Sequence, residues 1–390
     1  MFCHSRFALP LVVALGVSVA FCFSCAGPEY VPSRGLPYMI HTGGSWEEVK
    51  SLSDKVARVY DYYEELFQVD EQSLPQLLIL VRIGAGENLG ESEEWPALYQ
   101  TDPTRIIFFE PPDDALLLHE IAHHFLPARL GASIRPCVNE GVATWLGWSA
   151  EGERELILGQ IAVEHSRAAR RAARNGQLLD LCDLFAIDGK EFYSGKSKGL
   201  HYSQSWAFVH FFFEEYLSDD LPFHRKLDRL AGLTPGQLSD LDPVFAAYCR
   251  DFPILESLLD GLRSDDGLRS DDEVRCQSAA FRLGLYQSAE PVDRLLHIAL
   301  DPSRSPEVRE VALLSVGIIF LGPEGSAVRG RFGAALRALV HDPSELIRNA
   351  AKELSKAVEE GDGKLIQTRY GAVGCNTDFY PAGKFKVSGG

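Results

Sequence analysis

Positive charge is scarce in this chain. Its 390 residues hold 38 Lys and Arg against 55 Asp and Glu, a formal net charge of −17. Nucleic acid is therefore not an expected partner, because phosphate binding needs clustered cations that release counterions. The same acidity argues against a polybasic membrane patch. Long apolar runs are missing beyond Phe23, where no stretch reaches the ~18 residues of a membrane span. Cysteine is sparse: five or six of the eight remain once a leader is removed, and none of those forms the CxxC pair of a zinc ribbon. What is plentiful is apolar surface, 46% hydrophobic residues with 10% aromatics, which rules out wholesale disorder. A chain of this length at ~150 residues per domain is expected to form two or three domains.

Residues 1–26 read as a secretory signal. His4 and Arg6 precede the apolar run Phe7–Phe23, and Ser24-Cys25-Ala26 offers a small-residue exit. Cleavage by an ordinary signal peptidase is one reading of that exit. Acylation of Cys25, as in bacterial lipoproteins, is another, although Cys22-Phe23-Ser24 fits that pattern poorly. A retained single-span anchor is the third. All three place the body of the protein outside the cytoplasm, with any membrane attachment through this anchor or a lipidated Cys25.

Four further regions follow. In residues 35–255, PYMIHT (37–42), QLLILVRI (76–83) and RIIFFE (105–110) read as strands. Ser45-Trp46-Glu47-Glu48 is a capping box. Behind it Val49, Leu52, Val56, Val59, Tyr60, Tyr63 and Phe67 recur mostly at three and four, the period of an amphipathic helix. Residues 84–102 read as a loop. Helices are expected over 115–126, stopped by Pro127, over 138–148 and 153–175, and from near Ser203 after a loop at 188–199. Residues 256–275 contain DGLRSD twice in tandem and read as a charged linker. The oxygen spacing and closing Glu of a calcium loop are absent from it. Residues 276–362 hold a longer repeat: DPSRSPEVREVALLSVGIIFLG (301–322) aligns with DPSELIRNAAKELSKAVEEG (342–361). Val308-Arg309 and Ile347-Arg348 are 39 residues apart, and the pattern resembles HEAT repeats. An ordinary helical bundle is the plainer alternative. Residues 363–390 are Gly-rich and read as a loosely ordered tail.

The chemistry concentrates in residues 119–140. His119-Glu120-Ile121-Ala122-His123 is an HExxH motif. On a helix, residues four apart lie one above the other, so His119 and His123 point the same way and can hold one Zn²⁺. Glu120 lies ~100° round the helix, beside the metal, where it can act as general base. A catalytic zinc needs a third protein ligand. A histidine ten residues after the first is not available, because that position is Arg129. Glu140, in PCVNEGVATWLGW (136–148), lies 17 residues after His123 and is the favoured third ligand. A surface Glu complementing a helix dipole is the plainer reading of it. His124 is read as packing or as support behind the ligands, His210 as a satisfied core histidine, and Asn139 as a helix cap.

HEIAHHF followed by NEGVATW resembles the gluzincin metallopeptidases, and most of all their peptidase MA-like branch. The resemblance covers about residues 35–250. It implies His119, His123 and Glu140 as zinc ligands, one Zn²⁺ per chain, and Glu120 as the base that activates water. It also points to His201-Tyr202-Ser203-Gln204 as the source of an oxyanion donor, Tyr202 or His201. The implied fold is α+β, a gluzincin-like metallopeptidase domain with a small sheet, followed by an all-α HEAT-like domain. The implied activity is zinc-dependent hydrolysis of a peptide or protein substrate, with the HEAT-like region free to bind a protein partner. The alternatives are a non-catalytic, zinc-stabilised adaptor and a metal-dependent hydrolase of a non-peptide bond.

Overall fold

The computed structural model describes residues 38–361, with 363 and 366, apart from 43–44, 71–72, 82–96, 102, 110, 152–155, 195–196, 219 and 263–269. Residues 1–26, read as a secretory signal, with Cys25, most of the expected 84–102 loop and nearly all of the expected 363–390 tail lie outside the described residues. The fold is α+β, one small sheet among many helices. Among the described residues no helix is long and apolar enough to cross a membrane.

Strands β1 (Tyr38–Thr42), β2 (Leu77–Val81), β3 (Ala97–Thr101) and β4 (Thr104–Phe108) form one sheet in the order β1-β2-β4-β3. The first two pairings are parallel and β3–β4 is antiparallel. Helix α1 (Trp46–Phe67) crosses from β1 to β2, the connection a parallel pair requires. Its capping box is formed: Glu48 N–H donates to Ser45 Oγ at 3.3 Å and Ser45 N–H to Glu48 Oε2 at 2.6 Å. The periodic residues Val49, Val56, Val59, Tyr60, Tyr63 and Phe67 are all buried. Part of the expected 84–102 loop is strand β3. Ala97–Thr101 pairs residue for residue with Phe108–Thr104, and its ALYQT sequence is strand-like although the 84–102 stretch as a whole is rich in Gly, Glu and Pro.

Helix α2 (Asp114–Leu130) packs against α1. Asp113 caps it, accepting from Leu116 N–H at 2.8 Å, and Tyr63 donates to the Leu118 carbonyl at 2.7 Å. The expected stop at Pro127 is wrong. Proline lacks only its own bond to the preceding turn. The helix runs three residues further and ends where Gly131 takes φ +87° and donates to the Pro127 carbonyl at 2.8 Å. Helix α3 (Pro136–Gly147) starts with proline at its first position, where no N–H partner is needed. Asn139 therefore lies inside α3 and does not cap it.

The helix expected over 153–175 is shorter. A two-strand turn, β5 (Ala150–Glu151) with β6 (Leu156–Ile157), comes first, and α4 spans Val163–Arg174. Gly159 at φ +70° lies between them, a conformation no helix continues through. Short helices α5 (Leu181–Ala186) and α6 (Gly189–Tyr193) follow. Helix α6 replaces part of the expected 188–199 loop because Asp188 caps it, accepting from Glu191 N–H at 2.8 Å. Helix α7 (Lys198–His210) begins five residues before Ser203 and continues as a π-helical turn, Phe211–Tyr216. Ser203 is no cap. Its hydroxyl bonds back to the Gly199 carbonyl at 2.8 Å, an arrangement available only inside a helix.

Two glycines set how closely the site helices approach. A Cβ at Gly147 would lie 3.2 Å from His119 Cβ, so α3 crosses α2 directly over that histidine. A Cβ at Gly141 would lie 2.7 Å from the Ser205 carbonyl oxygen and 2.9 Å from Val209 Cγ2 of α7. Backbone cannot yield there as a flexible side-chain tip can. Gly141→Ala is expected to push α3 from α7 and cost ~1–3 kcal/mol, seen as a lower denaturation midpoint. An unchanged midpoint would contradict this packing.

Helices α8 (Phe223–Ala231) and α9 (Pro235–Asp251) complete this part. The span 256–275, read as a linker, is helical at both ends: α10 covers Ile254–Gly261 and α11 Ser270–Tyr286. Only 263–269, within the tandem hexapeptide, lies outside the described residues. Leu255, Leu258, Leu259 and Cys276 bury an apolar seam that the charged repeat conceals. Helix α11 docks on the preceding region. Arg282 is buried, donates to the Trp148 carbonyl at 2.5 Å and to Gln160 Oε1 at 3.2 Å, and covers the Trp148 ring at 5.7 Å. Helices α12 (Val292–Leu300) and α13 (Pro306–Leu321), then α14 (Gly325–Leu339) and α15 (Glu345–Glu360), form two pairs that follow the sequence repeat. The two repeats are tied by buried Arg309, which donates to the Ala299 carbonyl at 3.0 Å and to Asp342 at 3.3 Å.

Candidate metal centre

His119 and His123 project from the same face of α2, and Glu140 meets them from α3. The Nε2 atoms of the two histidines are 3.1 Å apart. Glu140 Oε2 lies 3.5 Å from His119 Nε2 and 3.6 Å from His123 Nε2. All three side chains are buried, at 5%, 6% and 4% exposure. Three donor atoms so close, shut away from water, could hold a metal ion. A tetrahedral ion bonded at ~2.0–2.1 Å separates its donors by about 3.3 Å, and the three observed edges bracket that value. Glu140 Oε2 is buried, and its approaches to the two Nε2 atoms are long for hydrogen bonds, a spacing that a shared cation would satisfy better than either imidazole alone.

The electrostatics suit such a role. Burial alone would raise the Glu140 carboxyl. The charge of His123, the hydrogen bond and charge of His119 and the Tyr193 hydroxyl together outweigh it and hold the carboxyl down at about 2. Glu140 is thus an anion at neutral pH. Glu120 differs. It is buried, and burial pushes it up to about 7; His123 opposes the rise and the Glu140 charge adds to it. Two neighbouring carboxyl groups are thereby held in different protonation regimes, the usual mark of a division between ligand and proton carrier.

Glu140's second oxygen is fixed by a residue that sequence reasoning passed over. Tyr193 Oη donates to Glu140 Oε1 at 2.8 Å, and its ring is 39% exposed. Burial, the Glu140 charge and that hydrogen bond push its hydroxyl well above the usual phenol range, with Asn139 pulling slightly the other way. Tyr193 ends the five-residue helix α6, and the only sign of that helix is Asp188 three residues before Glu191. Removing a hydrogen bond that orients a ligand typically costs 10–100-fold in metal affinity. Tyr193→Phe is expected to weaken metal binding by about that factor in a chelator competition. Equal affinity in both proteins would deny Tyr193 this role.

Tyr202, on α7, lies 6.4 Å from Tyr193 ring to ring, and burial with the Glu140 charge raises its hydroxyl far above the usual range. Both tyrosines are therefore neutral donors beside the Glu140 carboxylate. His201 is buried, with its Nδ1 3.2 Å from the Phe192 carbonyl. His124 faces the sheet, Nδ1 3.4 Å from Tyr99 Oη, and burial lowers it to about 4. His210 is a core residue, Nδ1 2.7 Å from Tyr248 Oη. His165 of α4 was not singled out in the sequence. Its Nδ1 lies 3.1 Å from Ser203 Oγ, and burial together with the His119 charge lowers it to about 4. No isolated motif could have revealed it, since only the packing of α4 against α7 brings it to the site.

Among the described residues no cysteine takes part. Cys137, Cys182, Cys249 and Cys276 are free thiols, and burial pushes Cys137 up to about 12. No family model, curated protein or solved structure matches this chain.

Proposed function

We propose that this protein is a zinc-dependent peptidase. The observation that carries the proposal is the buried triangle of His119, His123 and Glu140 with the Glu120 carboxyl near neutrality beside it. Two imidazoles and one carboxylate are a borderline donor set that suits zinc and leaves a fourth position for water or substrate. When bound, Zn²⁺ supplies Lewis acidity: it polarises a carbonyl and lowers the pKa of water. Glu120 takes the proton of the attacking water and returns it to the leaving amine, a task for which a carboxyl near 7 is suited. The neutral hydroxyl of Tyr202 is the candidate donor to the developing oxyanion, since the Tyr193 proton is committed to Glu140.

The sheet favours a peptide among hydrolysable substrates. Among the described residues β3 is an edge strand, and its Tyr99 ring lies 5.9 Å from the His123 ring. An open strand edge offers alternating N–H and C=O groups to an extended chain. A peptide paired with β3 would lie on the strand that carries Tyr99, the residue beside His123. The likeness of HEIAHHF and NEGVATW to gluzincins supports the same reading, as the paired helices α12–α15 support a HEAT-like region. Export from the cytoplasm rests on residues 1–26 alone.

The test is metal analysis of the purified protein followed by digestion of a broad peptide library. About one zinc per chain is expected, with cleavage that a chelator abolishes and added zinc restores. Cleavage unaffected by a chelator, or none with zinc bound, would contradict the proposal.

A further inference from the structure

A groove in the described part of the molecule lies away from the candidate metal centre, where α4 faces the start of the repeat region. It encloses about 490 Å³, and its walls include Arg167, Arg170, Arg171 and Arg174, with Tyr286 and Glu324 opposite. Four arginines on one groove are unexpected in a chain of net charge −17. Their spacing explains how they meet. At ~100° per residue they fall within an arc of about 100° on α4, while Ala169 and Ala172 bury the opposite side.

Little on the protein neutralises them. Arg170 donates to the Arg250 carbonyl at 3.4 Å and the Phe252 carbonyl at 2.9 Å, which fixes its guanidinium but leaves its charge unpaired. Arg167 reaches Glu164 only at 3.9 Å and lies over the Tyr286 ring at 5.7 Å. Glu324 already accepts from Ala289 N–H at 2.5 Å. Among the described residues Arg171 and Arg174 form no ion pair; Glu164 lies near enough only to feel the charge of Arg171. Cations in the last turn of a helix complement its dipole. That accounts for Arg171 and Arg174 singly, but not for Arg167 and Arg170 facing the same groove.

The geometry points to a binding site for an acidic peptide segment, with carboxylates seated on the guanidinium forks of α4. The row from Arg167 to Arg174 is about 10 Å long at 1.5 Å per residue. An extended chain advances about 3.3 Å per residue, so three or four acidic residues span it. A single phosphate covers only one or two forks. The groove is large enough to hold such a segment, and the Tyr286 ring gives it an apolar floor. The inference does not depend on the metal centre or on any hydrolysis.

The test is fluorescence anisotropy of a labelled hexaglutamate peptide, with hexaserine as control, on the wild type and on the double variant Arg171→Gln/Arg174→Gln. Both positions are exposed, so the variant should keep the wild-type denaturation midpoint and metal content. Hexaglutamate is expected to bind the wild type, to weaken as salt is raised, and to lose at least tenfold in the variant. No binding above hexaserine at low salt, or equal binding to both proteins, would overturn the site. Inorganic phosphate displacing hexaglutamate at equal or lower concentration would overturn the peptide assignment and leave a small-anion site.

Discussion

Glu120→Gln is expected to lower peptide hydrolysis by about 10³-fold while zinc content stays at the wild-type level. Gln keeps the shape and volume of the side chain, and Glu120 is not one of the three atoms that form the triangle. The metal site should therefore survive. What disappears is a buried carboxyl beside the triangle whose proton affinity lies near neutrality, raised to about 7 by burial. The pH dependence carries a sign. A base works when deprotonated, so the rate rises with pH through the pKa of Glu120. A bound cation favours the carboxylate form, so that rise should be centred below 7 in the zinc-loaded protein. In the variant the acid limb should vanish along with the activity. Hydrolysis within tenfold of wild type, with the acid limb intact, would remove Glu120 from the reaction.

The second large effect is on the metal itself. Glu140→Ala is expected to weaken zinc binding by at least ~10²-fold, since loss of an orienting partner alone costs 10–100-fold and this change removes a ligand. The carboxylate supplies the only negative charge among the three donors, held as an anion by His123, His119 and Tyr193 against its burial. Without it the imidazoles of His119 and His123 remain a pair on α2, too few for a closed tetrahedral site. The Tyr193 hydroxyl, which donates to Glu140 at 2.8 Å, also loses its acceptor. Glu140→Gln separates charge from shape: it should retain the fold and still bind zinc poorly. Wild-type affinity in either variant would mean that the carboxylate is no ligand.

The legibility of this chain follows the range of the interactions involved. Helix α1 could be read directly, because its capping box and its period of apolar residues are local properties. The pairing of His119 with His123 is equally local, four residues on one helix. The approach of Glu140 is not local. It depends on Gly147 letting α3 pass over His119 and on Gly141 letting α3 pack on α7, so the motif suggested the ligand but not the geometry. Strand β3 is hidden because the Gly-, Glu- and Pro-rich composition of 84–102 as a whole masks the strand-forming Leu98, Tyr99 and Thr101 near its end. Pro127 and Ser203 misled for a shared reason. Each was read as a boundary by its average preference, whereas one lost hydrogen bond at Pro127 and one back-bonded hydroxyl at Ser203 leave a packed helix intact. Tyr193 was missed because a five-residue helix has no periodicity to read. The charged hexapeptide at 256–275 concealed an apolar seam, since composition reports charge without reporting which face carries it.

Anomalous diffraction from crystals of the zinc-loaded protein, recorded on both sides of the zinc edge, tests the central claim most directly. One peak is expected between Nε2 of His119, Nε2 of His123 and the carboxylate of Glu140, with each donor at ~2.0–2.2 Å. A peak elsewhere, or none at full zinc loading, would contradict the account.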